Sequence, residues 1–265
     1  VENIMAYIKD EYHFPDSIEI EYKWEGKYGA KGEKRAPKEK ITPEVIAKQN
    51  QWKKETECRR VIKLNFKKND YYVTLTYPKD TRKSIEDVKA DVSNLNERLR
   101  YRYKKMGAPF KWVHRIEIGS QGGIHCHMLV NRVDGLEADA LIQELWHKRT
   151  GGRTFNERYQ ADEQSAHKLA DYFVKPLTTQ QSNKLEAMGG NPKELVSYST
   201  SRNLKRPVKV RKKYSHWTMK KVVESGQPKA RPGYFVDKST IYFGVNKFTG
   251  LSYLYYTEVK GGDDG

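Results

Sequence analysis

His125 and His127 stand two residues apart in Ile124-His125-Cys126-His127-Met128, and Glu117 lies just across a glycine-rich turn from them. In an extended segment alternate side chains share a face, so the two imidazoles point one way while Ile124, Cys126 and Met128 point the other. Trp112 to Ile118 alternates in the same manner, and Gly119-Ser120-Gln121-Gly122-Gly123 supplies glycines where a turn needs positive φ. If Gly119 pairs with Gly123, the ladder sets Glu117 opposite His125 and Arg115 opposite His127, and cross-strand partners share a face. Two imidazoles and a carboxylate on adjacent strands can bind a divalent ion and leave positions open for water or substrate. A one-residue slip would remove the glutamate. A strand histidine alone is more often a polar residue on a wet face, and His-x-His by itself is a weak signal.

A second chemical candidate is Tyr172, in ADEQSAHKLADYFVKP. Asp162 can cap a helix there that runs to Pro176, with Ala166, Leu169, Ala170 and Phe173 as its apolar stripe. Tyr172 falls at the edge of that stripe, with Lys168 and Lys175 on its open side. A tyrosine beside two ammonium groups suits attack on a phosphodiester, because its hydroxyl titrates near a pKa of about 10 and positive charge favours the ionised form. The competing reading is boundary packing, the commoner role of a tyrosine in this position.

The elements that must hold these residues follow from periodicity. Residues 70–78, DYYVTLTYP, alternate β-branched and aromatic residues and stop at proline, as a strand does. Ser84 caps an amphipathic helix with Ile85, Val88, Val92, Leu95 and Leu99 on one face and Gly107 at its end. After the hairpin, a helix from Leu136 to Lys148 is expected to bury Leu136, Ala140, Leu141 and Leu145, followed by a strand from Arg153 to Tyr159. The order βαββαβ predicts an α+β fold with a ferredoxin-like, RRM-like antiparallel sheet and helices on one face. Upstream, Ile18 to Tyr22 alternates as a strand, Lys23 to Lys40 is a basic loop, and Thr42-Pro43-Glu44 opens a helix to about Lys63. Downstream, residues 178–190 read as a linker or lid. Residues 234–236 and 240–259 read as strands, with a turn at Asn246 to Gly250 and a disordered GGDDG end. The chain thus divides into an N-terminal extension (1–69), a core (70–177) and a basic, β-rich C-terminal part (178–265) that completes the same domain.

Composition points to a polyanionic partner. The 265 residues carry Lys+Arg 50 against Asp+Glu 34, a formal charge of +16, and a positive field concentrates nucleic acid at the surface. Excess lysine also serves mere solubility. Arg202, Lys205, Arg206, Lys209, Arg211, Lys212 and Lys213 alternate with Tyr198, Tyr214 and Trp217. Cations for phosphates and rings for unstacked bases are the pairing of single-strand binders. Cys58 and Cys126 are the only cysteines, too few for a disulfide framework, which fits a cytoplasmic protein. No apolar run reaches membrane-span length.

Together, YYVTLTYP, EIGSQGGIHCHM and YFVK, in that order, resemble the three signature motifs of the HUH endonucleases, the His-hydrophobic-His nucleases of rolling-circle initiators, relaxases and single-tyrosine transposases. The resemblance covers residues 70–176, with Cys126 standing as a small hydrophobe between the histidines. It implies that Glu117, His125 and His127 hold Mg²⁺ or Mn²⁺, that Tyr172 is the nucleophile assisted by Lys175, and that the product is a 5′-phosphotyrosine with a free 3′-hydroxyl. Single-stranded DNA at a replication origin, in a hairpin, is the implied substrate, with Thr74 and Thr76 among the expected DNA contacts. No G-x-x-x-x-G-K-[ST] occurs, so a host helicase would open the duplex for the polymerase. The motif holds one tyrosine and the third ligand is a glutamate, which favours a plasmid or phage initiator over a relaxase or transposase. A non-catalytic nucleic-acid module and a two-histidine, one-carboxylate iron site are the remaining alternatives.

Overall fold

Alternation along the strands assigns a face to every side chain, and the elements follow in the order the pattern requires. The computed structural model describes residues 7–24, 40–79, 81, 83–119, 122–187, 189–195, 197–214 and 220–261. It begins with β1 (Tyr7–His13), β2 (Ser17–Lys23), α1 (Pro43–Asn65), β3 (Tyr71–Thr76) and α2 (Ile85–Lys105). Then come β4 (Trp112–Ile118), β5 (Ile124–Val130), α3 (Ala138–Thr150), β6 (Arg153–Arg158) and α4 (Glu163–Val174). The chain continues through α5 (Thr179–Ala187), a 3-10 turn (Pro192–Leu195), β7 (Ser199–Thr200), β8 (Lys209–Tyr214), α6 (Lys220–Ser225), β9 (Tyr234–Asn246) and β10 (Leu251–Lys260). Most of the basic loop between Lys23 and Lys40, Trp217 and the last four residues lie outside the described residues. Among the described residues no helix is long and apolar enough to cross a membrane.

Two compact units result, Asn50–Arg206 and the pair Val1–Gln49 with Pro207–Gly265. Boundaries drawn at 69 and 177 follow the motif segment, whereas the units run differently. The C-terminal strands pair with the N-terminal ones in a sheet of their own, ordered β8-β1-β2-β10-β9, and not with the strands of the motif segment.

The unit Asn50–Arg206 has the α+β architecture read from the sequence. Its antiparallel sheet runs β6-β3-β5-β4-β7, and its first four strands stand in the ferredoxin-like order. One face (Val73, Leu75, Ile118, Cys126, Met128) buries against α2 and α3. Ser84 caps α2 by accepting from the Asp87 N–H at 3.1 Å, and Gly107 takes φ +67° just beyond its end. Helix α3 starts two residues later than its apolar pattern suggested and buries Ala138, Ile142 and Trp146. Ala140 is exposed and Leu136, Leu141 and Leu145 only flank the contact. The Trp146 ring settles the phase: it fills the core and donates from Nε1 to the Thr76 carbonyl at 2.8 Å.

Helices cover both faces of this sheet, not one. Val113 and Leu129, on the side opposite α2, pack with Cys58, Val61 and Ile62 of α1 and with Ala166, Ala170 and Phe173 of α4. The apolar stripe of α4 needs a surface, and these two strand residues supply it. Cys58 and Cys126 are buried free thiols whose pKa burial pushes up, so both act as small hydrophobes.

In the other unit, Tyr7, Ile18, Ile20, Tyr22, Leu254 and Tyr256 form the core, and the β9–β10 turn closes with Gly250 at φ +67° and Asn246 Oδ1 accepting from the Phe248 and Thr249 N–H groups. Asp10, fully buried, accepts from Arg211 Nε at 2.6 Å and Nη2 at 2.8 Å, with Lys23 Nζ 3.1 Å away. Burial alone would raise this carboxyl's pKa, but the hydrogen bonds from Arg211 and Lys23 outweigh it and hold it below its ordinary value. A depressed folded pKa gives stability that is present above the unfolded value of about 3.9 and is lost as pH falls through the folded one. Asp10→Asn should cost about 2 kcal/mol at pH 7 and clearly less near pH 2.5. Urea melts at the two pH values check this, and equal losses would contradict it.

Candidate active site

The sheet face shared with α1 and α4 turns polar at one end, where Arg115 and Glu117 of β4 lie beside His125 and His127 of β5. The register pairs Glu117 with His125 and Arg115 with His127, and the Gly119 N–H donates to the Gly123 carbonyl at 2.8 Å. Gly119 has a steric role as well: a Cβ there would come within 3.1 Å of His125 Cε1. Glu117, His125 and His127 each offer a ligand atom, all within 4.8 Å of one another, and among the described residues they are the one His, Cys, Asp or Glu group of three or more so placed.

Their protonation suits a cation. Burial lowers the pKa of His127 to about 4, helped by His125 and Arg115, and burial lowers that of His125 too, so both rings are neutral at pH 7. Burial would raise Glu117, but hydrogen bonds from Tyr172 and Gln181 and the nearby histidines outweigh it and keep the carboxylate ionised. Two neutral imidazoles and one carboxylate form a donor set suited to a divalent ion. Behind His127, Thr74 Oγ1 lies 3.0 Å and the Tyr72 hydroxyl 3.2 Å from Nδ1. Hydroxyls donate or accept, so they support either tautomer. With the proton on Nδ1, the Nε2 lone pair faces the cluster and is available to an ion.

Helix α4 delivers Tyr172 to the same point. Asp162 caps it through the Ser165 N–H at 2.6 Å, and burial of Phe173 on the sheet fixes the rotation that turns Tyr172 toward β4 and β5. The phenol donates to Glu117 Oε2 and lies 2.6 Å from His127 Nε2. Burial and the neighbouring Glu117 raise its pKa, so the ionising influence expected of Lys168 and Lys175 does not prevail. Both lysines are exposed, Lys175 at the C-cap of α4. The cation that favours the phenolate is Arg115, 2% exposed, whose Nη1 donates to the Tyr172 carbonyl at 3.0 Å.

Two contributors escaped the sequence reading. Arg115 was placed opposite His127 but given no part. Gln181 sits in α5, where a linker or lid was expected, and its Nε2 donates to Glu117 Oε1 at 3.2 Å and to the Ile118 carbonyl at 2.9 Å. The legible signal was Thr178-x-x-Gln181: the Gln181 N–H donates to Thr178 Oγ1, and Gln181 Oε1 accepts from the Thr178 N–H, a reciprocal capping box.

The expected DNA contacts are scattered. Thr74 supports His127, while Thr76 donates to the Arg153 carbonyl at 3.0 Å. Arg202, Lys205 and Arg206 are exposed or nearly so after β7, whereas Lys209, Lys212 and Lys213 are exposed on β8 in the other unit. Arg211 is held by Asp10, Tyr214 stacks on Tyr7 at 4.6 Å, and Tyr198 packs beside Cys58 in the core. The basic run is therefore not one surface: an alternating strand spends some of its side chains on its own sheet.

Sheet and site together define an α+β protein with a carboxylate–histidine cluster and an adjoining tyrosine. Residues 70–177, which contain all four of those side chains, match the family model of the replication-associated protein ORF2. No curated protein and no solved structure matches the chain significantly.

Titration calorimetry with Mn²⁺ should show binding that His127→Ala abolishes and Thr74→Val weakens about tenfold. Because the histidine pKa values are depressed, affinity should hold as pH falls from about 7.5 to about 6.5, where an ordinary imidazole begins to protonate. A threonine variant with full affinity would contradict the supporting role.

Proposed function

We propose that this chain nicks single-stranded DNA and transfers the strand through a covalent bond to Tyr172, and that it thereby initiates rolling-circle replication. The observation that carries this reading is the Tyr172 hydroxyl within hydrogen-bond reach of both Glu117 and His127, two members of a cluster able to hold a metal ion. The match of residues 70–177 to a replication-associated family and the +16 charge favour DNA as the polyanion.

A divalent ion, Mg²⁺ or Mn²⁺, held by Glu117, His125 and His127 would polarise the scissile phosphate and offset charge on the departing oxygen. The chain's own groups do the rest. Tyr172 is a neutral phenol at pH 7, so it must lose its proton as its oxygen bonds to phosphorus, and the Glu117 carboxylate and the His127 ring are within reach to take it. Buried Arg115 beneath the tyrosine stabilises the developing phenolate. The phosphorus–O3′ bond breaks and the 3′ oxygen takes up a proton, leaving a 5′-phosphotyrosine and a 3′-hydroxyl. Attack by a 3′-hydroxyl on the phosphotyrosine reverses the step without ATP. Exposed Lys175 follows Tyr172 by three residues and is available to a backbone phosphate. The substrate is an origin hairpin, and a host helicase and polymerase supply the unwinding and synthesis.

Incubated with origin DNA and Mn²⁺, the chain should give an SDS-stable adduct that Tyr172→Phe eliminates. Nicking should fall roughly 10³-fold or more while single-strand affinity stays within about threefold. Undiminished nicking by the variant would move the role to another residue. Binding without any cleavage by the unaltered chain would leave a nucleic-acid-binding module.

A further inference from the structure

The sheet face that carries the histidines is one of two, and the other has a cleft of its own. Strand parity turns Trp112, His114 and Ile116 of β4 toward α2, away from Arg115 and Glu117. There Trp112, His114, Asn96, Ser93 and Arg100 line a pocket of about 340 Å³, with Val92, Ile116 and Leu195 as its apolar wall. A second cleft of about 1080 Å³ shares Arg100, Trp112 and Ser199 with it and extends past Lys104 to Arg202. The two make one groove between α2 and the β7 edge.

Two atoms in this groove are unexplained by the fold. The Asn96 carboxamide oxygen and the Trp112 indole N–H are buried without a hydrogen-bond partner, and Asn96 is only 6% exposed. Native structures partner nearly all such groups, so an orphan acceptor and an orphan donor in one pocket mark where a ligand's polar edge belongs. They ask for a donor beside an acceptor, the arrangement on the edge of a nucleobase. The Trp112 and His114 rings, edge to face at 4.5 Å, add aromatic surface. His114 brings no charge, because burial lowers its pKa to about 4.

The rest of the groove suits a phosphate backbone. Lys89, Arg100, Lys104 and Arg202 line it against one carboxylate, Glu97. Lys89, Ser93, Arg100 and Lys104 recur at helical steps along one stripe of α2, and Lys89 to Lys104 spans about 22 Å of helix.

We propose that this groove binds single-stranded DNA, with one unstacked base in the pocket between Trp112 and Asn96 and the flanking phosphates against Arg100, Lys104 and Arg202. It holds the strand on the side of the sheet away from Tyr172. The proposal rests on the nuclease reading only for the choice of DNA as the polyanion.

Fluorescence anisotropy with a labelled mixed-sequence 12-mer, on the full chain in EDTA, tests the groove without metal. Arg100→Gln/Lys104→Gln/Arg202→Gln should weaken binding about tenfold or more and reduce the salt slope by about two, at roughly 0.7 per phosphate contact on a single strand. Asn96→Leu should lose about tenfold in affinity yet keep its thermal midpoint, since an apolar isostere leaves no oxygen unpartnered. Unchanged affinity in both variants overturns the proposal, as does a fall in the Asn96→Leu midpoint with affinity intact. Tighter binding of the RNA of the same sequence overturns the assignment to DNA. Nicking of origin DNA with Mn²⁺ separates the two readings. Cleavage with unaffected variant affinities removes the groove and leaves the nuclease, whereas variant-sensitive binding without cleavage does the reverse.

Discussion

The register of the β4–β5 hairpin is the constraint on which the site depends. Strand side chains repeat every two residues, so a shift of one would carry both histidines into the core under α2 and bring Cys126 and Met128 out. Two features oppose that shift. The Gly119–Gly123 closure sets the pairing locally, and the apolar sets of the two faces, Ile118, Cys126 and Met128 on one and Val113 and Leu129 on the other, fit their helices only in the observed register. Packing and ligand geometry are therefore the same choice, and a carboxylate and two imidazoles come together with no strained backbone at their own positions.

Positioning of Tyr172 is a second consequence of the same face. Burial of α4 against Val113 and Leu129 brings the phenol to Glu117 and His127, but it also withdraws the phenol from water, which raises its pKa. Desolvation and a neighbouring carboxylate both oppose ionisation, and Arg115 is the counterweight. A buried guanidinium acts through a lower dielectric than two solvated ammonium groups do, so one Arg115 outweighs Lys168 and Lys175 as an influence on the hydroxyl. The resting tyrosine is a hydrogen-bonded phenol, poised next to its proton acceptors and not already ionised.

Much of this was legible in local pattern. The strand Tyr71–Thr76, the Ser84 cap, the glycine turn and the Asp162 cap each rest on interactions within a few residues, and the Glu117–His125 pairing follows from the turn alone. What was hidden depends on partners distant in sequence. Helix α1 has a thin apolar stripe, so its cover of the second sheet face could not be read. The phase of α3 turned on where the Trp146 ring fits. Pairing of N- and C-terminal strands in a separate sheet is long-range, and Arg211, read as a DNA contact, is bound to Asp10 across 201 residues. Gln181 is the instructive miss, since its capping box was visible but its contact with Glu117 depends on the fold.

The central claim is that Tyr172 itself forms the bond to DNA, and mass spectrometry of the trapped adduct tests it most directly. Trypsin cleaves after Lys168 and spares the Lys175–Pro176 bond, so one peptide, from Leu169 to Lys184, contains Tyr172 as its single tyrosine. After nuclease trimming, that peptide should carry the mass of a nucleotide joined through phosphate, with fragment ions placing it on Tyr172. A nucleotide on any other peptide, or a stable adduct that leaves this one unmodified, would contradict the account.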